Sequence, residues 1–352
     1  MTGIYVHIPF CMKKCNYCSF NSYEGMLGLE KAYVERVIAE IKSYKREKAD
    51  TVYFGGGTPS LLKSESLLAI LNELKKQFDL SAESEITIEV NPGTCGKEKL
   101  SALFEGGFNR ISFGFQSFKN SELSALGRVH TAEDNEKAFA DAKAAGFKNI
   151  SADIMFALPH QSISDFEENI DCMLSLSPEH FSAYSLSIDE GTPFFKMADT
   201  LQLPEENTER EMYYLLCQKL EKAGYEHYEI SNFAKEGFRA RHNTKYWLGM
   251  PYIGLGAGAH SYHDNFRYSN VCGIEEYIKS EDAKQFSEYI DEQEKKRERY
   301  MLALRMADGI EKDENPKIYE LIKKGLLEDM GGRVRLTKRG IDISNYVFSE
   351  LI

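Results

Sequence analysis

No apolar run in this 352-residue chain approaches the length of a membrane span, so an integral membrane protein is not expected. The N-terminus lacks the succession of basic region, apolar stretch and cleavage site that marks a secretory leader. Cationic residues are in deficit: 43 Lys and Arg stand against 55 Asp and Glu, for a formal charge of −12. Nucleic acid as a general partner is therefore not expected, because phosphate contacts need clustered Lys and Arg. Cysteines number seven, an odd and uneven set that argues against a disulfide framework and for a reducing, cytoplasmic location. There is one tryptophan, and no internal repeat or low-complexity tract. The length is more than one compact core needs, so two or three domains are expected.

What is present is concentrated near the start. Cys11, Cys15 and Cys18 lie on one short loop after the β-like run Ile4–Ile8, while Cys95, Cys172, Cys217 and Cys272 are single and scattered. A structural zinc site takes four protein ligands, often as two separated pairs, and no second pair exists. Ordinary ferredoxin clusters use four cysteines. Three thiolates would hold three corners of a [4Fe–4S] cube and leave one iron for an outside ligand. S-adenosylmethionine (SAM) can chelate such an iron through its amino and carboxylate groups. Three unliganded loop thiols, or an incomplete zinc site, remain the alternatives from spacing alone.

The first half alternates strand-like and helix-like segments. Strands are expected at Ile4–Ile8, Thr51–Phe54, Glu85–Val90, Arg110–Gly114, Asn149–Met155 and His180–Ile188. Helices are expected from Leu29 to Tyr44 and over Leu61–Phe78, Lys97–Glu105, Ala132–Ala145 and Ile163–Leu174. Such repeated β/α units imply a parallel sheet with outer helices and right-handed crossovers. Periodicity does not separate a barrel from a doubly wound sheet. Glu190–Glu206 reads as a connector, Asn207–Ala223 as an amphipathic helix and Tyr225–Phe233 as a strand. Arg239–Tyr262 is rich in glycine and aromatics without a clear period. The last sixty-odd residues read as helices over Glu292–Met306 and Pro316–Lys324, a hairpin over Leu326–Thr337 and a helix from Gly340.

The cysteine triplet, preceded by Tyr5-Val6-His7-Ile8-Pro9-Phe10, resembles the radical SAM superfamily, and within it the HemN/HemW branch. That resemblance implies an α/β fold: a partial (β/α)6 TIM-like radical SAM barrel with a C-terminal winged-helix-like α+β domain. The expected division is a radical SAM core over 1–190, a bridging region over 191–290 and the C-terminal domain over 291–352. Function on such barrels sits at the C-terminal ends of the strands, where the cysteine loop lies. Gly55-Gly56-Gly57-Thr58-Pro59 follows the second strand, and glycine allows close backbone approach to a ligand. The branch pattern places SAM contacts at positions matching Tyr5, Gly56, Gly57, Thr58, Glu89, Gln116, Arg128 and Asp153. Carboxylates suit the SAM ammonium and ribose hydroxyls, and an arginine suits its carboxylate.

Two features choose between the arms of the branch. The oxidase arm, HemN, decarboxylates coproporphyrinogen III and carries a further cysteine two residues after the third, where this chain has Phe20. It also has an extension before the first strand, for which the start at Ile4 leaves no room. Arg241-His242-Asn243-Thr244-Lys245-Tyr246-Trp247 contains His-Asn-x-x-Tyr-Trp, similar to the signature of the HemW arm, whose members are haem chaperones. Imidazole is the usual axial ligand of haem iron, Tyr246 and Trp247 offer flat apolar faces, and Arg239 and Arg241 could meet propionates. His242 packing the barrel against the next domain is the alternative. His260, His263 and His130 rank behind it as ligands.

The expected function is a radical SAM-type haem chaperone rather than a coproporphyrinogen dehydrogenase, holding a SAM-liganded [4Fe–4S] cluster and passing haem on. The implied partners are a haem-acceptor protein, a membrane-associated haem enzyme among the candidates, and an electron donor. An oxygen-independent coproporphyrinogen III oxidase or a related radical SAM enzyme is the alternative. A nucleic-acid role for the tail, with its Arg333, Arg335, Lys338 and Arg339, is disfavoured by the net charge.

Overall fold

The computed structural model describes residues 1–352. Six strands follow one another with helices between them: β1 (Thr2–Ile8), β2 (Lys48–Gly56), β3 (Asp79–Val90), β4 (Arg110–Gln116), β5 (Asn149–Phe156) and β6 (His180–Ser185). Each pairs in parallel with the next. In β1 every residue but Tyr5 is buried, as expected of a parallel strand covered on both faces. The outer helices are α1 (Glu30–Ser43), α2 (Ser64–Gln77), α3 (Lys97–Gly106), α4 (Asn120–Ala125), α5 (Ala132–Ala145) and α6 (Ile163–Leu176). α5 and α6 each open on a capping box, Thr131 with Asp134 and Ser162 with Asp165, which satisfies two otherwise orphaned amides. The short α4 was not expected from periodicity, since six residues carry under two turns of pattern.

The stretch from 191 to 290 does not form a body of its own. After α7 (Glu206–Lys222), the expected single strand Tyr225–Phe233 is a hairpin, β7 (Glu226–Glu229) and β8 (Asn232–Ala234). β8 lies antiparallel to β6, and the Asn232 side-chain amide donates to Glu229 across the turn. The unperiodic segment contains α8 (Arg241–Trp247) and β9 (Tyr252–Leu255), and β9 adds a seventh parallel strand beside β1. β10 (His260–His263), β11 (Phe266–Asn270) and β12 (Lys284–Tyr289) continue antiparallel from β9, with α9 (Ile274–Lys279) before the last. One twelve-stranded sheet results, in the order β12-β11-β10-β9-β1-β2-β3-β4-β5-β6-β8-β7.

A single apolar core joins residues of the six β/α units with Met212, Phe233, Ile253 and Tyr277. A separate core holds Tyr300, Ile318, Val334 and Val347. The latter belongs to α10 (Glu292–Ala303), β13 (Ile310–Glu311), α11 (Pro316–Lys323), β14 (Leu327–Asp329), β15 (Arg333–Leu336), α12 (Lys338–Asp342) and α13 (Ser344–Leu351). Its three strands order as β13-β15-β14, a small winged-helix-like arrangement. These are the two large cores, beside two small clusters around Leu158 and Tyr228, and the bridging stretch flanks both edges of the first.

Candidate functional site

The cysteine loop leaves the C-terminal end of β1 and is anchored by backbone. Asn16 N donates to Leu126 O at 2.9 Å, and Tyr23 N to Pro9 O at 2.7 Å. All three thiols are half-buried and free. No three His, Cys, Asp or Glu side chains converge on the position of one ion. Thiolates that take separate corners of a cluster need no such convergence. Burial raises the Cys18 thiol above its ordinary pKa.

One cavity of about 130 Å³ brings Cys11, Cys15 and Cys18 together with Gly56, Gly57, Thr58, Glu89, Gln116, Arg128 and Asp153. The glycines are demanded by space. A Cβ on Gly57 would stand 2.8 Å from Phe10 O and 3.1 Å from Cys11 Sγ, and one on Gly56, at φ 116°, would stand 2.6 Å from the His7 ring. Thr58 Oγ1 and Cys11 Sγ are 3.7 Å apart. Arg128 Nη2 donates to Asn91 Oδ1 at 2.6 Å and to Gly114 O at 2.7 Å, and Nη1 to Cys15 Sγ at 3.6 Å. Its Nε is buried without a partner, a donor available to an acidic ligand. Gln116 holds a left-handed backbone at φ 65°, at a register shift between β4 and β5. Non-glycine residues keep such conformations where the surroundings over-determine them, often at ligand sites.

The carboxylates are tuned by burial. Glu89 Oε1 accepts from Tyr53 OH at 2.7 Å and Oε2 from Gly56 N at 3.1 Å. Burial nevertheless pushes its pKa up to about 7. Burial likewise lifts Asp153 to about 6, against a Ser112 hydroxyl at 3.4 Å. The donor set fits a three-thiolate cluster with SAM beside it: thiols for iron, carboxylates for an ammonium and hydroxyls, and a guanidinium for a carboxylate.

Tyr5 is the one expected SAM residue outside the cavity lining. Its hydroxyl is 3.0 Å from His7 Nδ1, and its ring stacks on Tyr53 at 6.2 Å, beneath Glu89. Asn91 and Tyr53 belong to the site and were missed. The Asn-Pro-Gly after β3 was a visible signal for Asn91, which bonds both Thr58 and Arg128. Tyr53 had none, since alternation only places it on an inward face.

His242, Tyr246 and Trp247 sit elsewhere. α8 crosses the opposite end of the barrel, where Gly3 pairs with Thr51, a strand's length of roughly 20 Å from the cysteine loop. Glu85 accepts from the backbone N–H of Arg241 and of His242, both at 2.9 Å. Lys245 pairs with Asp50 at 2.7 Å. His242 is 1% exposed, with Nδ1 2.8 Å from Thr51 Oγ1 and Nε2 2.9 Å from Tyr246 OH. Its ring stacks on Tyr53 at 5.3 Å, and burial lowers its pKa to about 3. Both ring nitrogens of His242 are therefore engaged by neighbouring hydroxyls within the packed end of the barrel. His242 packs the plug of the barrel. The arginines are also committed, Arg239 to Glu226 and Asp308 and Arg241 to Asp50 and Glu83 O. Trp247 faces the C-terminal domain, with the Arg305 guanidinium 4.5 Å over its ring. His130 bonds Phe115 O at 3.2 Å and His263 pairs with Glu47 at 3.0 Å, whereas His260 is exposed.

The chain is similar to known proteins along its length. Residues 5–173 match the family model of the radical SAM superfamily. The chain is 35% identical to the heme chaperone HemW of Lactococcus lactis, over 99% of this chain and 96% of that protein. It is 36% identical to the heme chaperone HemW of Bacillus subtilis, over 100% of this chain and 99% of that protein. Among solved structures, coproporphyrinogen III oxidase (HemN) from Escherichia coli matches with a TM-score of 0.86 over 99% of this chain and 89% of that one. At 19% identity that likeness speaks for the fold alone.

Proposed function

The chain belongs to the HemW family of the radical SAM superfamily, and on that premise we propose that it is a haem chaperone, binding haem and passing it to an acceptor protein. The observation that carries this reading is the end-to-end likeness to heme chaperones, spanning both the barrel and the C-terminal domain. Phe20, 64% exposed beside the cluster loop, stands where the oxidase arm has its extra cysteine.

Cys11, Cys15 and Cys18 would hold the cluster, and the Gly55–Gly57 backbone would lie against SAM. When bound, the cluster with SAM on its open iron supplies one-electron chemistry at the sulfonium. This chain's residues do the positioning. Arg128 is fixed by Asn91 and Gly114 O with Nε left for the SAM carboxylate. Glu89, steadied by Tyr53 and Gly56 N, and Asp153 take the ammonium and hydroxyls. The acceptor is a haem-requiring protein, membrane-associated enzymes included. No helix of the chaperone itself is long and apolar enough to cross a membrane.

The test is anaerobic. Cluster-reconstituted protein receives SAM, a strong reductant and coproporphyrinogen III, and is separately titrated with haem. Haem binding without protoporphyrinogen formation is expected. Sustained decarboxylation would establish the oxidase reading instead.

A further inference from the structure

The turn Gly55–Gly57 carries one glycine that the cysteine loop does not explain. A Cβ on Gly55 would stand 2.8 Å from Cε1 of Tyr53 and 3.0 Å from Oε1 of Glu89. Gly55 thus clears the space in which the Tyr53 hydroxyl donates to Glu89 at 2.7 Å. The ring behind that hydroxyl is the middle member of a stacked column. Tyr5 is the register partner of Tyr53 on β1, and their rings lie 6.2 Å apart. On the other side His242 of α8 lies 5.3 Å from the Tyr53 ring, and both pairs are 24° from parallel. Stacked rings of this kind gain more than their buried area alone supplies.

Both ends of the column are hydrogen-bonded. On α8, Tyr246 OH lies 2.9 Å from His242 Nε2. On β1, Tyr5 OH lies 3.0 Å from His7 Nδ1, and His7 Nε2 lies 2.7 Å from Asn21 O, where the chain leaves the cysteine loop. A carbonyl oxygen only accepts, so His7 Nε2 carries the proton. Burial lowers the His7 pKa to about 4, so the ring is neutral and its Nδ1 takes the Tyr5 hydroxyl. The column therefore meets α8 on one side. On the other it meets the SAM end twice, at Glu89 through Tyr53 and at the cysteine loop through Tyr5 and His7. Chains of packed rings and hydrogen bonds are the physical carriers of coupling between distant sites.

We propose that Tyr53 is a positioning residue for SAM, which fixes the Glu89 carboxylate from within the barrel and makes SAM affinity depend on how α8 packs at the opposite end. The proposal rests on the reading of Glu89 as a SAM contact and separates from it by experiment. Glu89 faces Tyr5 on β1, Tyr53 on β2, Arg110 on β4, Asp153 on β5 and Tyr246 on α8. Of these side chains Tyr53 is the one that hydrogen-bonds it, and a bond to the carboxylate favours the charged form. Full-length, cluster-reconstituted protein is dialysed against SAM between about pH 6 and pH 9. Wild-type affinity should rise with pH through about 7. Tyr53→Phe should keep its iron and weaken SAM about tenfold or more at neutral pH, as expected for a lost hydrogen bond to a charged group. It should also move the rise to higher pH. His242→Ala should weaken SAM a few-fold, and that loss should vanish in the Tyr53→Phe background, because residues acting through one contact are not additive. If Tyr53→Phe takes up no iron, Gly55→Ala, which wedges the same contact, decides by the same profile. Glu89→Gln with wild-type affinity overturns the SAM reading of Glu89, and the proposal falls with it. A weakened Glu89→Gln beside an unshifted Tyr53→Phe overturns the positioning role alone. A His242→Ala loss that persists undiminished in the double variant overturns the link to α8.

Discussion

Replacing His242 with alanine separates packing from ligation. The substitution removes two side-chain contacts, at 2.8 Å to Thr51 and 2.9 Å to Tyr246, and the stack on Tyr53. Thr51 is fully buried, so its hydroxyl would be left without a partner, at about 1–3 kcal/mol. The vacated imidazole volume sits between β1, β2 and α8, where a Cβ on Gly3 would stand 3.3 Å from the ring. Deleting a large buried ring adds a cavity cost, and the sum is about 3–5 kcal/mol. For a protein of this size that is roughly 4–7 °C in Tm. SAM affinity should fall only a few-fold, because Tyr53 also holds Glu89 and loses only its stacking support. Thermal unfolding followed by circular dichroism, with hemin titration of the same preparation, measures both quantities. The expected outcome is a lower Tm with hemin affinity retained. A variant that melts with wild type and no longer binds hemin would refute this reasoning and restore His242 as the ligand.

Three further outcomes follow from the same geometry. Glu89 ionises near pH 7, facing Tyr53, Asp153 and Arg110, and its charged form suits the SAM ammonium. Apparent SAM affinity, measured by equilibrium dialysis, should therefore rise about tenfold from pH 6 to pH 8, and a flat profile would contradict the assignment. Gly57→Ala should lower the iron content after reconstitution, since its Cβ would crowd Phe10 O and Cys11 Sγ; unchanged iron and SAM affinity would show that the close approach is not needed. Burial lowers His7 and His130 to about 4 and His242 to about 3. Because these folded values lie below the unfolded one near 6.5, their stability contribution is full above that pH and is lost as pH falls towards 4. The loss should be about 1.4 kcal/mol per pH unit for each histidine. Denaturant melts at pH 7 and pH 5 check it, and equal midpoints would place these rings in contact with water.

Much of the barrel was legible because its elements carry their own signals. Parallel strands such as Ile4–Ile8 are largely apolar runs, and Thr131 and Ser162 mark helix starts by side-chain capping. The cysteine loop and the Gly55–Gly57 turn are local in the same sense, since spacing alone brings the thiols or amides together. The misreadings fall where the deciding partner is distant. Tyr252–Leu255 is a seventh parallel strand only because β1 offers an edge, and four residues carry too little period to announce it. The turn inside 225–233 depends on Asn232 reaching back to Glu229.

The residues that name the chemistry were thus written locally. Cys11, Cys15, Cys18, the glycine turn and the charged residues at strand ends could be chosen before any strand was paired. Which groups face one another was decided by closure of the sheet. Closure sets Arg128 against Cys15, lifts Glu89 towards neutrality by burying it, and seals His242 between Thr51 and Tyr246. It also leaves Arg305 Nε and Trp247 Nε1 buried without hydrogen-bond partners. Burial and partner identity are properties of the assembled fold, because the desolvation of a side chain depends on every element packed around it.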